Sequence, residues 1–231
     1  MSEAGEGPQV TDPQRLPFAL RSAAVLVCLP LLILISNDPY LALAVASFYL
    51  YGSIPYATLV SRRFVGRRME DVGSGSVGVA NTYMNAGMVP GTLTVIGEIS
   101  KGLLPLFVSY LLFDYVILAS SLMLCASLLG TNFSIFNRLL GGMGTTMVLW
   151  SLLVVSTFSF LGVIAVLLVS KVVVKDTFWM TVITYASGPL VVYLVDGRWP
   201  LVGFAVFAAA IYILKFRRSL DEFERSKALK G

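Results

Sequence analysis

The 231-residue chain contains no histidine. Imidazole acid–base chemistry, serine–histidine triads and histidine-ligated metals are therefore excluded. Cysteine is almost as scarce: Cys28 and Cys125 each sit inside an apolar run, so neither a disulfide framework nor a thiolate metal or redox motif is expected. Charge is sparse too. Only 13% of residues are charged, about half the roughly 25% of soluble domains, and the mean hydropathy is +0.82. A soluble fold is thereby excluded. No internal repeat marks the paired halves of a small-solute transporter. No cofactor and no metal are expected.

What is present is long apolar runs. Their length argues for helices over a barrel, whose strands alternate over ~10 residues. The sequence predicts an all-α, polytopic membrane helix bundle. Residues 1–16 read as a disordered polar tail, 17–38 as a first span, 39–218 as the main membrane domain and 219–231 as a basic tail. Further spans are expected near residues 40–60, 89–109, 110–129, 177–195 and 200–216. The run Thr145 to Val174 is thirty residues, about 45 Å of helix, too long for an untilted crossing.

Charge decides how that run is arranged. As one tilted helix it divides the cationic residues evenly between the two faces of the membrane. As a hairpin broken near Ser156–Ser159 it puts all of them on one face except Lys101, inside a span, and Arg198. The positive-inside rule favours the hairpin, eight spans and cytoplasmic termini. The net charge of +4 is then explained by residues flanking spans, and nucleic acid is not an expected partner.

Two glycine-bearing loops fall on the cationic face. Gly73-Ser74-Gly75-Ser76-Val77-Gly78-Val79-Ala80-Asn81 follows Arg62, Arg63, Arg67 and Arg68. Glycines at this density let successive amides form an anion-binding concavity that arginines reinforce. A plain turn between membrane helices is the alternative. The literal Gly-x-Gly-x-x-Gly follows a membrane span, not a strand, and no Gly-Lys-Ser/Thr ending is present, which disfavours a dinucleotide site and excludes a P-loop. The second loop, Gly130 to Gly144, contains Gly141, Gly142 and Gly144. Within the intervening span, Glu98 and Lys101 stand three residues apart on one helix face, and ionisable groups inside a span mark function by default. A mutually neutralising pair is the competing reading.

From Tyr40 to Arg225 the chain resembles the bacterial acyl-phosphate-dependent glycerol-3-phosphate acyltransferases, the PlsY family. Gly52-Ser53-Ile54-Pro55 matches its Gly-Ser-Ile-Pro motif, Gly73 to Asn81 its glycine loop, and Glu98-Ile99-Ser100-Lys101-Gly102 its Asp-x-x-Lys-Gly. The second loop keeps Gly130, Asn132, Phe136, Gly141, Gly142 and Gly144, while Thr131, Ser134, Leu140 and Met143 replace the family's His, Pro and two Lys, and Glu70 its Arg. The resemblance implies seven family spans plus one extra N-terminal span. It implies a transferase of phospholipid synthesis that moves a fatty acyl group from acyl phosphate to the 1-hydroxyl of glycerol 3-phosphate, yielding lysophosphatidic acid at the cytoplasmic face of the bacterial inner membrane. Ser53 and Lys101 take catalytic roles; Gly73, Ser74, Gly75, Ser76, Gly78 and Asn81 bind the substrate phosphate. Gly141, Gly142 and Gly144 bind acyl phosphate, with Arg68, Glu98, Asn132 and Arg218 in support. The partners implied are glycerol 3-phosphate, acyl phosphate and membrane lipid. The substituted positions keep a second reading open, a non-catalytic or regulatory relative that binds a phosphorylated lipid precursor.

Overall fold

A computed structural model describes residues 17–174 and 177–215, all helix and loop. The two tails, Lys175 and Arg218 lie outside them. Ten α-helices follow in order: α1 Phe18–Ile35, α2 Pro39–Gly52, α3 Tyr56–Val65, α4 Val79–Ala86, α5 Met88–Leu112, α6 Ile117–Asn132, α7 Thr145–Val155, α8 Thr157–Val174, α9 Thr177–Val195 and α10 Trp199–Leu214. Among the described residues six segments are long and apolar enough to cross a membrane, α2 and α3 counting as one, and α7 and α10 are shorter apolar helices. This is a multi-pass membrane bundle.

The core is α6, buried over almost every residue from Ala119 to Asn132 and packed against α2, α5 and α10. Small residues make that possible. A Cβ on Gly52 would lie 2.8 Å from the Ser127 Cα, and one on Gly130 2.7 Å from the Ser53 amide nitrogen, so α2 and α6 cross with backbones in contact. Polar bonds tie α6 to α5: Ser127 Oγ donates to the Lys101 carbonyl at 2.9 Å and Ser120 Oγ to Ser109 Oγ at 2.8 Å. Leu26, Leu34, Leu43, Leu112, Val172 and Leu194 are exposed on the outer helices, where hydrocarbon is their solvent.

Three boundaries differ from the sequence reading. Arg62 and Arg63 belong to the last turn of α3, which Gly66 ends at φ 68°, so the polar loop is shorter than Arg62–Asn81. The helix expected to stop at Ser109 runs to Leu112, and α6 begins only at Ile117. The long run does break, at Ser156, whose φ of −153° lies outside the helical region. There the Arg198 guanidinium donates to the Val155 carbonyl at 3.0 Å and pairs with Asp196, gathering the α7–α8 and α9–α10 turns at one end. Its hydrogen bond holds the Asp196 carboxyl down at about 2.

A buried cavity where three helices stop short

The site lies where helices are interrupted inside the bundle. Asp38 caps α2 by accepting from the Leu41 amide at 3.0 Å, with Pro39 at the first helical position. Fourteen residues later α2 ends, because Pro55 has no N–H to continue it. From the other direction, α7 begins only at Thr145, after Gly144 turns the chain at φ 72°. Its eleven residues give about 16 Å of helix, half of a hydrocarbon core. The non-helical backbone of residues 53–55 and 141–142 lines a cavity within the protein, the setting in which irregular backbone is tolerated in a membrane bundle.

That cavity, about 10 Å³, is walled by Gly52 to Ala57, Val77, Glu98, Lys101, Thr131, Ser134, Gly141 and Gly142. The structure thus brings together Ser53, Lys101, Glu98, Gly141 and Gly142 from three separate segments. Lys101 is 2% exposed; its Nζ donates to Glu98 Oε1 at 2.7 Å and lies 5.3 Å from the centre of the Tyr56 ring. Ser53 Oγ donates back to the Tyr49 carbonyl at 2.8 Å, and the Ser53 carbonyl accepts from Ser134 Oγ. Thr131 Oγ1 donates to the Ser127 carbonyl at 2.9 Å. An ammonium, a carboxylate and the hydroxyl residues Ser53, Thr131 and Ser134 converge where water is scarce, so a bound anion would feel Lys101 strongly.

The cavity holds about one water, and Ile54 and Pro55 are part of its wall. These residues also form the wall of a cleft of about 350 Å³ that carries Arg62, Arg68 and Arg138. Its electrostatics come from a clamp between loops. Arg68 Nη2 donates to Glu70 Oε1 at 2.8 Å and Asn137 Oδ1 at 2.7 Å; Thr58 and Asn137 also donate to Glu70. Burial pushes the Glu70 carboxyl up, but these donors outweigh it and hold it below the usual range. Glu70 here anchors Arg68 and ties the first loop to the second.

The first glycine loop is placed differently. Of its residues only Val77 lines the cavity, so Gly73, Ser74, Gly75, Ser76 and Gly78 stand outside it. Asn81 is buried as the loop's staple: Nδ2 donates to the Met69, Val72 and Ser76 carbonyls at 2.9–3.2 Å, and Oδ1 accepts from the Ser74 amide at 3.2 Å. The Gly75 amide donates to the Val72 carbonyl. Three of these polar groups thus hold the loop's own shape. Gly144 shapes the second loop from outside the cavity wall.

One residue of the site escaped the sequence reading, which ended the last span near residue 216 and grouped Lys215 with the basic residues that follow. Lys215, 2% exposed at the end of α10, donates from Nζ to Asn132 Oδ1 at 3.0 Å, the Gly141 carbonyl at 3.0 Å and the Gly142 carbonyl. Asn132 in turn donates to the Leu128 carbonyl. A buried ammonium thus underlies the Gly141–Gly142 backbone, in a loop that carries Leu140 and Met143 on either side. The available signal was a lysine closing an apolar run with no acidic neighbour in the preceding turn.

Comparison with known proteins gives this arrangement a context. A family profile described as glycerol-3-phosphate acyltransferase matches residues 40–225. A glycerol-3-phosphate acyltransferase of Geobacter sulfurreducens is 33% identical over 174 residues, covering 74% of this chain and 88% of the relative. One from Moorella thermoacetica is 31% identical over 184 residues, covering 78% and 91%. In fold, the chain is similar to a crystal structure of PlsY, an integral membrane glycerol 3-phosphate acyltransferase, in its glycerol 3-phosphate form, with a TM-score of 0.69 at 22% identity over 83% of this chain and 93% of that one. Helix α1 precedes the matched region, and from α2 onward the chain belongs to the glycerol-3-phosphate acyltransferase family.

Proposed function

We propose that this protein transfers a fatty acyl group from acyl phosphate to the 1-hydroxyl of glycerol 3-phosphate, releasing phosphate and lysophosphatidic acid at the cytoplasmic face of a bacterial cell membrane. The observation that carries the reading is the convergence of Ser53, Lys101 and the Gly141–Gly142 backbone on one buried cavity. Glycerol 3-phosphate, a dianion, enters through the arginine-bearing cleft and displaces the Ile54–Pro55 wall. Lys101 then shares its charge between Glu98 and the incoming phosphate, with Ser53 beside it; the Gly73–Gly78 loop and Asn81 brace this side. Acyl phosphate lies against Gly141–Gly144, which Lys215 and Asn132 hold from beneath, with Arg68 and Glu70 bracing the entrance.

The chemistry asks little of the side chains. The 1-hydroxyl oxygen attacks the acyl carbon, the bond from that carbon to the phosphate oxygen breaks, and phosphate departs with the electron pair and takes up the hydroxyl proton. Positioning and charge stabilisation supply most of the rate, so absence of histidine is no obstacle. A second reading, a relative that binds the phosphorylated precursor without turnover, draws on the closed Lys101–Glu98 pair. Purified protein given palmitoyl phosphate and radiolabelled glycerol 3-phosphate separates the two. Labelled lysophosphatidic acid is the expected product; binding of glycerol 3-phosphate without product would favour the second reading, and neither would overturn both.

A further inference from the structure

A second cavity, larger than the site and its cleft, lies beside α1. It measures about 850 Å³, and one wall is α1, the helix that precedes the family match. Phe18, Arg21, Ser22, Val25 and Leu26 line it from α1, residues spaced so that they share one helix face. Tyr49 of α2 and Arg68, Glu70 and Asp71 of the first loop form further walls, with Ile135 and Arg138 to Leu140 opposite. Neither Ser53 nor Lys101 touches it.

Its two ends differ chemically. At the N-terminal end of α1, Arg21, Arg68 and Arg138 come together, and Arg21 Nη1 donates to the Arg138 carbonyl at 3.0 Å. That carbonyl is aimed by two successive residues in the left-handed region, Arg138 at φ 52° and Leu139 at φ 57°, a strained backbone for side chains of this size. Glu70 is already engaged by Arg68, Asn137 and Thr58, and the Nε of Arg68 is buried with no hydrogen-bond partner. About 7 Å deeper along α1, Val25 and Leu26 face the cavity, and Leu26 is 72% exposed. An arginine cluster at the membrane boundary above an apolar wall at bilayer depth matches an amphiphile with a phosphate head. The volume falls within the range of ligand sites.

We infer that the groove between α1 and the α6–α7 loop binds an anionic phospholipid of the surrounding bilayer, its phosphate at Arg21 and Arg138 and one chain along Val25, Leu26 and Leu139. The groove shares Arg68 and Arg138 with the entrance cleft but no residue with the acyl-transfer cavity, and it does not depend on the activity proposed above. It also gives α1 a purpose: without this helix the groove would lack one wall and Arg21.

The test uses the full chain purified in detergent, with retained lipid counted by native mass spectrometry and the unfolding midpoint measured alongside. Phosphatidylglycerol is expected to be retained at one molecule per chain and to bind at least tenfold more tightly than phosphatidylcholine, raising the midpoint by several degrees. Inorganic phosphate alone should do neither. Arg21→Gln is expected to weaken phosphatidylglycerol binding about tenfold, and Ser22→Trp, which fills the groove and leaves every charge in place, to abolish it. Equal retention of both lipids, or equal protection by inorganic phosphate, would overturn the inference. Because those comparisons need only the wild-type protein, they decide the matter even if a variant fails to fold; phosphatidylglycerol binding unchanged in two folded variants would overturn it as well.

Discussion

Replacing Lys215 with methionine removes the one ammonium that underlies the Gly141–Gly142 backbone. Nζ donates to Asn132 Oδ1 and to the carbonyls of Asn132, Gly141 and Gly142. Charge-assisted hydrogen bonds contribute about 1.5–3 kcal/mol each and are not additive, so a loss of about 3–5 kcal/mol is expected for the set. At roughly 2–4 °C per kcal/mol for a chain of this size, the unfolding midpoint in detergent should fall by about 6–20 °C. Acyl transfer should fall further than stability explains, because a displacement of about 1 Å in a positioning element costs on the order of 100-fold in rate. Lys215→Arg keeps the charge but carries a planar fork unsuited to a compact carbonyl cage; it should recover part of the stability and little of the rate. A Lys215→Met protein with an unchanged midpoint and unchanged turnover would refute the role assigned to this lysine.

Other outcomes follow from the packing and the ion pairs. Gly52→Ala places a methyl 2.8 Å from the Ser127 Cα and in closer conflict with its carbonyl, and an overpacking cost of at least ~1–3 kcal/mol is expected; Gly203→Ala, whose Cβ would meet no atom of another element within 4 Å, is the control that should hold the thermal midpoint or raise it slightly. The folded pKa of Asp196 lies at about 2, below its ordinary 3.8, so its contribution to stability is complete above that ordinary value and is lost as pH falls towards about 2. An acid titration of the unfolding midpoint should therefore separate wild type from Asp196→Asn at neutral pH and bring the two together near pH 2. Glu70→Gln keeps the shape but not the charge opposite Arg68, and weaker glycerol 3-phosphate binding through a loosened cleft is expected in a direct binding measurement.

Hydropathy alone was enough to locate the membrane helices, because burial in lipid imposes one requirement on every residue of a span. Charge placement was enough to split Thr145–Val174 near Ser156, since an unbroken helix would divide the cationic residues evenly between the two faces, against the positive-inside rule. The glycine pattern likewise located both loops, and the resemblance to the family's motifs singled out Ser53 and Lys101, which line one cavity. What stayed hidden depends on partners distant in sequence. The short helix α3 carries four arginines in and just beyond it and so reads as loop. Asn81 looks like a ligand group until its five hydrogen-bonded neighbours are known, and Lys215 looks like tail until α10 delivers it beneath Gly141. The groove beside α1 has no linear signature, being assembled from α1, α2 and two loops.

The most direct measurement is the response of the site to Lys101→Met, which removes the buried ammonium while preserving its bulk. Binding of glycerol 3-phosphate and acyl transfer from palmitoyl phosphate would be followed in protein shown to be folded. Loss of a charge-assisted contact of about 1.5–3 kcal/mol should weaken binding or turnover by roughly 10- to 150-fold. Wild-type binding and wild-type product formation in the Lys101→Met protein would contradict the assignment of this cavity as the active site.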